Sequence, residues 1–163
     1  MEIKWTPWRS QYIKRDEAAD TGCALCHAHQ AGDDARLLVL HRGEHCYVLM
    51  NLYPYNPGHL MVVPYEHTAG FDALLPPVAA ELIHLAQVCT RALTAAMRPG
   101  GFNLGMNLGR TGGAGIDEHL HLHVVPRWNG DTNFMPLIGG VKLLPEGIDD
   151  TYAALLPFFE QAG

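Results

Sequence analysis

The pattern of hydrophobic and polar positions divides the 163-residue chain into short strands and one long helix. Between the third strand and the fourth, residues 76–97 carry apolar side chains at helical spacing, and Pro76 and Pro77 suit a first helical turn. A short helix is predicted near residues 149–159, with Pro157 limiting it. Apolar runs predict the first four strands at residues 36–40, 46–52, 59–64 and 102–108.

A fifth strand is predicted from an alternating run that begins at Glu118 and ends at Arg127. His119, His121 and His123 alternate there with apolar residues, so the three imidazoles should project from one face of the strand. At about 3.3 Å per residue, neighbouring rings would lie about 6 to 7 Å apart. Packing alone gives little reason for such a row. The fold is predicted to be α+β with a mainly antiparallel five-stranded sheet, and the histidine row to be a functional site.

Length and charge restrict the class of protein further. The chain is long enough for a single domain spanning residues 1–163, with an N-terminal arm at 1–20 and a C-terminal extension at 128–163. A net charge of −6 argues against broad binding of nucleic acid. We find no apolar run of membrane-spanning length and no signal-peptide core, so we expect no membrane partner and a cytoplasmic location.

The histidine row is compatible with two kinds of chemistry. Histidines two residues apart on a strand can chelate a metal ion together. Alternatively, a neutral imidazole nitrogen can attack a phosphorus or acyl centre. Residues 109–115 contain four glycines and directly precede the row, so backbone N–H groups could meet an anion beside the imidazoles. Together, the loop and the row favour phosphate chemistry.

Cys23 and Cys26 form a C-x-x-C pair followed by His27. The same letters occur in c-type haem attachment, which requires export, and in redox pairs, which require a βαβ context. We therefore favour a structural zinc ion, for which two thiolates supply half of a tetrahedral site, and expect no organic cofactor. His27 and His29 are candidate local ligands. Residues 23–34 are predicted to form a polar loop, whereas the other two cysteines, Cys46 and Cys89, are predicted to be core residues.

The run from His119 to Val125 resembles the histidine-triad (HIT) motif, His-φ-His-φ-His-φ-φ with φ apolar, at every position. The segment from Asn51 through Pro54, Pro57 and His59 to Pro64 is similar to the strand and turn beside the ribose in that family. The resemblance implies a homodimer with joined sheets that acts on nucleotides through a nucleotidyl-histidine intermediate. It implies that His121 is the nucleophile at the α-phosphate, with His123 as its support and His119 flanking it.

The same resemblance assigns substrate-binding residues. Asn51 matches a residue that binds the ribose hydroxyls, and His59 lies by the nucleoside pocket. Asn107 matches a side chain beside the α-phosphate, and Gly115 matches a glycine whose N–H meets a phosphate oxygen. Some similar bacterial proteins complete a zinc site with a histidine after the third strand and the first triad histidine. Those residues are His67 and His119 here.

One departure concerns the residues just before the triad. Many members carry Gly-Gln-Ser/Thr-Val there, and the hydroxyl helps the leaving group to depart, whereas this chain has Gly115-Ile-Asp-Glu118. The residues after Pro126 and the opening Trp5-Thr-Pro-Trp-Arg9 resemble the bacterial diadenosine tetraphosphate phosphorylase branch, in which inorganic phosphate accepts the nucleotidyl group. Trp128 would then contact a base or the phosphate path.

We therefore predict phosphorolysis of dinucleoside polyphosphates such as diadenosine tetraphosphate. Three alternatives remain at this stage. One is hydrolysis of a nucleoside phosphoramidate or a dinucleotide by water. Another is a metal-dependent enzyme with the three histidines as ligands, and the third is a non-catalytic nucleotide-binding protein.

Overall fold

A computed structural model describes residues 22–131 and 146–160. The predicted arm at 1–20 and residues 132–145 of the extension lie outside these ranges. The described strands form one antiparallel five-stranded sheet in the order β1-β2-β3-β5-β4. Their bounds are β1 Val39–Arg42, β2 Cys46–Met50, β3 Leu60–Pro64, β4 Gly101–Gly105 and β5 Leu122–Arg127. The predicted α+β fold with an antiparallel sheet is confirmed.

One face of the sheet is covered by two helices. The long helix runs over Pro76–Met97, as predicted, and is called α2 because a shorter helix precedes it. It begins after Leu75, which has the extended conformation expected before proline, and ends at Arg98 with φ of 50°. The second helix, α3, covers Ile148–Glu160. Cys46 and Cys89 are fully buried in the core between the sheet and these helices, as predicted. None of the described helices has the length and apolar character needed to cross a membrane.

The short helix predicted near residues 149–159 is confirmed to within one residue at each end, and it continues three residues beyond Pro157. A proline there removes only the hydrogen bond to Ala153, in the last turns of the helix. Leu155 and Phe159, on either side of it, are 0% and 1% exposed. Their burial holds the final turn against the sheet.

The opposite face of the sheet carries a smaller core under helix α1, Ala24–Gln30. The prediction of a loop at residues 23–34 is wrong for this helix. Leu25 and Ala28, three residues apart, are its only two buried residues, too few to give a recognisable helical pattern. The hydroxyl of Tyr47 on β2 donates a hydrogen bond to the Leu25 carbonyl at 2.7 Å. Helix α1 therefore brings the C-x-x-C segment against the sheet.

Several strand boundaries differ from the predictions. The first strand begins at Val39 rather than at Arg36, because residues 34–38 form a turn in which Leu38 has φ of 59°. The fourth strand ends at Gly105 rather than at Leu108. The fifth begins at Leu122, so His119 and His121 precede it and only His123 lies within it. The hydrophobic alternation extends further along the chain than the hydrogen-bonded ladder does.

The turn between β1 and β2 is held by a carboxylate from α2. Glu81 accepts hydrogen bonds from the backbone N–H groups of Glu44, His45 and Cys46 at 2.8, 2.5 and 2.8 Å. A Cβ on Gly43 would lie 2.5 Å from Glu81 Oε1, which explains why glycine occupies this position. The hairpin turn and the long helix are thereby fixed to each other.

We expect Glu81→Ala to lower the free energy of unfolding by about 2 kcal/mol, since it leaves three N–H groups, two of them partly buried, without their charged acceptor. Urea denaturation should show a lower midpoint with an unchanged slope. Gln87→Ala, at an exposed position of the same helix, is the matched control and should change stability by less than about 0.5 kcal/mol. Equal stability of the two variants would contradict this account of the turn.

Candidate active site and metal centre

The ring of His121 is held by the main chain immediately before it. His121 Nδ1 lies 2.8 Å from the carbonyl oxygen of His119, which can only accept, so Nδ1 carries the proton. The side chain is 7% exposed. Burial lowers the pKa of His121, although the hydrogen bond to the His119 carbonyl acts in the opposite direction. The ring therefore favours its neutral form with the lone pair on Nε2, which is the form a nucleophile requires.

A second chain of hydrogen bonds fixes the ring of His123. The backbone N–H of Tyr55 donates to His59 Nδ1 at 3.1 Å, so His59 in its neutral form carries its proton on Nε2. His59 Nε2 lies 3.0 Å from His123 Nδ1 and donates to it. The proton of a neutral His123 is then on Nε2. The rings of His121 and His123 are nearly perpendicular, with centroids 4.8 Å apart, closer than strand spacing alone predicts.

Asn51 and His59 face each other where the second strand turns into the third. The Asn51 N–H donates to the His59 carbonyl at 2.9 Å, and the Asn51 side-chain nitrogen lies 3.4 Å from His59 Nδ1. Asn51 Oδ1 accepts from the N–H of Tyr53 at 2.9 Å. The Tyr55 ring stacks on His59 at 4.8 Å between centroids. The structure thus brings together two of the predicted nucleoside-binding residues.

His119 is oriented differently from the other two triad histidines. Its Nε2 donates to the Pro64 carbonyl at 2.9 Å, which leaves Nδ1 with a lone pair. That nitrogen lies 3.2 Å from Cys23 Sγ and 3.5 Å from Cys26 Sγ. Both ring nitrogens of His119 are therefore engaged outside the histidine row.

Cys23, Cys26, His67 and His119 form a cluster whose ligand atoms are close enough to share one metal ion. Their four ligand atoms all lie within 4.8 Å of one another, and His67 Nδ1 is 3.3 Å from Cys26 Sγ. Zinc bonds of about 2.3 Å to sulfur and about 2.0 Å to nitrogen place neighbouring tetrahedral ligands about 3.3 to 3.8 Å apart. The Nε2–H bond of His119 to a carbonyl is also the second contact typical of a metal-bound histidine. The donor set fits zinc.

The alternative ligands and the alternative metal site do not match this geometry. His27 is exposed, and the His29 ring packs against Tyr47 and Tyr65, so neither belongs to the cluster. Across residues 22–131 and 146–160, the triad histidines do not converge on one point as ligands. His121 and His123 instead direct Nδ1 at a carbonyl and at His59. This finding argues against the three-histidine metal enzyme.

The glycine loop, residues 109–115, is bonded to Asn107, which lines the same cavity as His123. Gly109 and Gly113 have φ of 69° and 89°, which accounts for glycine at both positions. The Asn107 amide lies 3.5 Å from the Gly113 carbonyl. The place of the missing hydroxyl is taken by Asp117, which pairs with Arg110 at 2.8 Å. Gly115 is exposed in the same loop.

A cavity of about 400 Å³ borders His123 on the side of β4. Arg127 stands in its wall and is paired with Asp131 at 2.6 Å. Trp128 is half-buried and lies outside the lining, so its proposed contact with substrate stays a prediction. The lining combines amide, aromatic and aliphatic residues with one arginine: Tyr55, Asn56, Asn103, Leu104, Gly105, Met106, Asn107, His123, Val125 and Arg127.

Sequence reasoning missed the groups that act through the main chain. The N–H of Tyr55 sets the tautomer of His59, and the carbonyls of Pro64 and His119 set those of His119 and His121. Backbone atoms carry no residue-type signal. The prolines and glycine at 54–58 were the one available sign that the chain turns back onto His59.

Several known proteins are similar to this chain in sequence or in fold. AP-4-A phosphorylase of Mycobacterium tuberculosis is 44% identical over 154 residues, which cover 90% of this chain and 78% of the relative. A zinc-bound histidine triad family protein from Mycobacterium smegmatis has a TM-score of 0.70 and 23% identity, covering 86% of this chain and 95% of that one. A HIT family protein from Bacillus anthracis has a TM-score of 0.56 and 25% identity, covering 68% and 76%. The sequence pattern of the HIT domain matches residues 34–130, and the chain therefore belongs to the HIT domain family.

Proposed function

We propose that this protein is a nucleotidyl transferase that cleaves dinucleoside polyphosphates with inorganic phosphate. The observation that carries the proposal is the hydrogen bond from His121 Nδ1 to the His119 carbonyl, which leaves Nε2 as a nucleophile in a buried site. The relative named AP-4-A phosphorylase, 44% identical over most of this chain, supports diadenosine tetraphosphate as the substrate.

The reaction would proceed in two displacements at the α-phosphorus. In the first, His121 Nε2 forms a P–N bond as the Pα–O bond to the remaining phosphates breaks, and ATP leaves when diadenosine tetraphosphate is the substrate. In the second, an oxygen of inorganic phosphate attacks the same phosphorus and the P–N bond breaks. ADP forms and the imidazole returns to its neutral state.

The surrounding groups would stabilise the charge that develops on the α-phosphate. His123, with its proton on Nε2, would donate to a phosphate oxygen while His59 holds its other nitrogen. The Asn107 amide and the Gly115 N–H are the further donors, and Asn51 would bind the ribose beside His59. The cavity next to His123, about 400 Å³, lies in the size range of small-molecule sites.

The missing hydroxyl supports an anhydride substrate and a phosphate acceptor. An amine that leaves from a phosphoramidate needs a proton, whereas a terminal phosphate with a pKa near about 6 can leave unprotonated. Asp117 occupies the position of the hydroxyl, and its carboxylate accepts a hydrogen bond from Arg110. Inorganic phosphate is likewise already ionised near neutral pH and needs no general base. Hydrolysis by water is the competing outcome.

We also propose that Cys23, Cys26, His67 and His119 hold a structural zinc ion. The support is the donor set of two thiols and two imidazoles within 4.8 Å of one another. A zinc site requires both cysteines in reduced form, and a reducing compartment such as the cytoplasm keeps them reduced. The proposed site is therefore consistent with a cytoplasmic location.

A homodimer joined through β4 is the third part of the proposal. Strand β4 lies at one end of the sheet, and no described strand pairs with its outer edge. Asn103, Leu104 and Gly105 on this strand are exposed, Leu104 by 50%. An exposed edge strand presents N–H and C=O groups that can pair with a strand of another chain, and an exposed apolar side chain favours that contact. Pairing with a second copy would continue the sheet across both subunits.

With diadenosine tetraphosphate and ³²P-labelled inorganic phosphate, we expect the label to appear in ADP. His121→Ala should reduce this rate by at least about a thousandfold, because it removes the nucleophile, while the circular dichroism spectrum stays unchanged. His84→Ala, at an exposed histidine of α2, is the matched control and should retain full activity. Unlabelled products formed from water at the same rate would instead identify a hydrolase.

We expect one zinc ion per chain by elemental analysis, and its loss in Cys26→Ser. With the free ion at about a thousand times Kd, binding should add about 4 kcal/mol to the free energy of unfolding. His27→Ala changes a neighbouring histidine outside the cluster and should keep the ion. Retention of zinc by Cys26→Ser would exclude the proposed ligand set.

Leu104→Lys should convert the dimer to a monomer, because it places a charge on the proposed β4 contact. Leu75→Lys adds the same charge at a position that is 62% exposed and lies at the start of α2 rather than on β4, and it should leave the dimer intact. Light scattering coupled to gel filtration measures both masses. A dimer that survives Leu104→Lys would point to another interface.

A further inference from the structure

The peptide group between His119 and Leu120 is hydrogen-bonded on both of its edges. Its N–H, which belongs to Leu120, donates to the Thr68 carbonyl at 2.7 Å. Its C=O, which belongs to His119, accepts from His121 Nδ1 at 2.8 Å. The position of this one peptide plane therefore determines where the His121 ring is held and which of its nitrogens carries the proton.

Both sides of this peptide lead directly to the thiol and imidazole cluster. His119 supplies the C=O and also directs Nδ1 at Cys23 and Cys26, at 3.2 and 3.5 Å. Thr68 follows His67, whose Nδ1 lies 3.3 Å from Cys26 Sγ. The cluster thus contains His119, whose carbonyl accepts from His121, and His67, whose neighbour Thr68 accepts from the Leu120 N–H.

We propose that the cluster, with its metal ion bound, positions the nucleophile. The bound cluster fixes the orientation of the 119–120 peptide, and the carbonyl of that peptide keeps His121 in the Nδ1–H form. Cys23, Cys26 and His67 are then positioning residues for the reaction as well as structural ligands. This inference rests on the proposed role of His121 as the nucleophile.

The physical reason is that metal coordination fixes the ring of His119 in a way that thiols cannot. A bound cation requires a lone pair on Nδ1 and so keeps the proton on Nε2, where it bonds the Pro64 carbonyl. Without the ion, the ring keeps its Nε2–H bond to the Pro64 carbonyl, but Nδ1 is held only by contacts with the thiols at 3.2 and 3.5 Å. The 67–68 segment also loses its link to Cys26. The peptide plane can then rotate, and the Nε2–H form of His121 has no lone pair on the attacking nitrogen.

The test uses His67 because it is exposed and forms neither hydrogen bond of the 119–120 peptide. His67→Ala removes one ligand, and His67→Cys replaces it with another that zinc accepts. The tautomer of His121 is read from its ¹⁵N chemical shifts in substrate-free protein, with signals assigned by comparison with His121→Gln. Zinc content, kcat and KM are measured on the same samples.

Wild-type protein should show a single Nδ1–H form of His121, and His67→Ala a mixture of both tautomers. In His67→Ala, kcat should fall by about 10- to 100-fold, with KM within about threefold. His67→Cys should regain zinc, the single tautomer and most of kcat. Cys89→Ser, which changes a fully buried residue of the other core, controls for loss of stability and should leave the tautomer and kcat unchanged.

A single Nδ1–H form of His121 in folded, zinc-free His67→Ala would overturn the inference, whatever its activity. A mixture of tautomers in zinc-loaded His67→Cys would overturn it as well. The spectra require no substrate. They therefore test whether the metal cluster controls the tautomer of His121 even if diadenosine tetraphosphate proves to be the wrong substrate. Failure of the proposed function would appear separately, as wild-type protein that has the expected tautomer but no phosphorolysis.

Discussion

The proposed chemistry depends on one hydrogen bond, from Nδ1 of His121 to the carbonyl of His119. A neutral imidazole has a single lone pair on nitrogen, so engaging one nitrogen as a donor makes the other the nucleophile. Burial reinforces this choice because it disfavours the imidazolium ion. The main-chain carbonyl beside His121 thus determines which nitrogen of the ring can act as the nucleophile.

The sheet separates the parts that provide rigidity from those that provide chemistry. On one face, α2 and α3 cover the larger core, and Glu81 ties the first hairpin to that layer. On the other face lie α1, the thiol cluster and the paired rings of His59 and His123. Among the described residues near the site, Arg110 is paired with Asp117 and Arg127 with Asp131. Substrate selection would then rest on directed hydrogen bonds more than on net positive charge.

The sequence predicted correctly those features that depend on the type and spacing of side chains. The bounds of α2 followed from its apolar stripe and initial prolines, and the four cluster residues followed from family resemblance and C-x-x-C spacing. Hydrogen-bonded boundaries were less predictable: the alternation around His119 and His121 continues outside the ladder that begins at Leu122. Helix α1 was missed because two buried residues give no measurable period. Contacts made by carbonyls, such as those of Pro64 and Thr68, have no counterpart in residue identity.

The thiol cluster also has a topological consequence. Cys23 and His119 meet at 3.2 Å although 96 positions separate them, so a metal ion there would cross-link helix α1 to the segment before the last strand. Closing a loop of this length restricts the unfolded chain, with an effect of about 4 to 5 kcal/mol for a covalent link of about 100 residues. The ion would enclose within one ring most of the sheet and the whole of α2. Metal coordination would thus stabilise a protein with free cysteines in the way that a long-range disulfide stabilises a secreted protein. A chelator could remove the ion and so open this cross-link without reducing a disulfide.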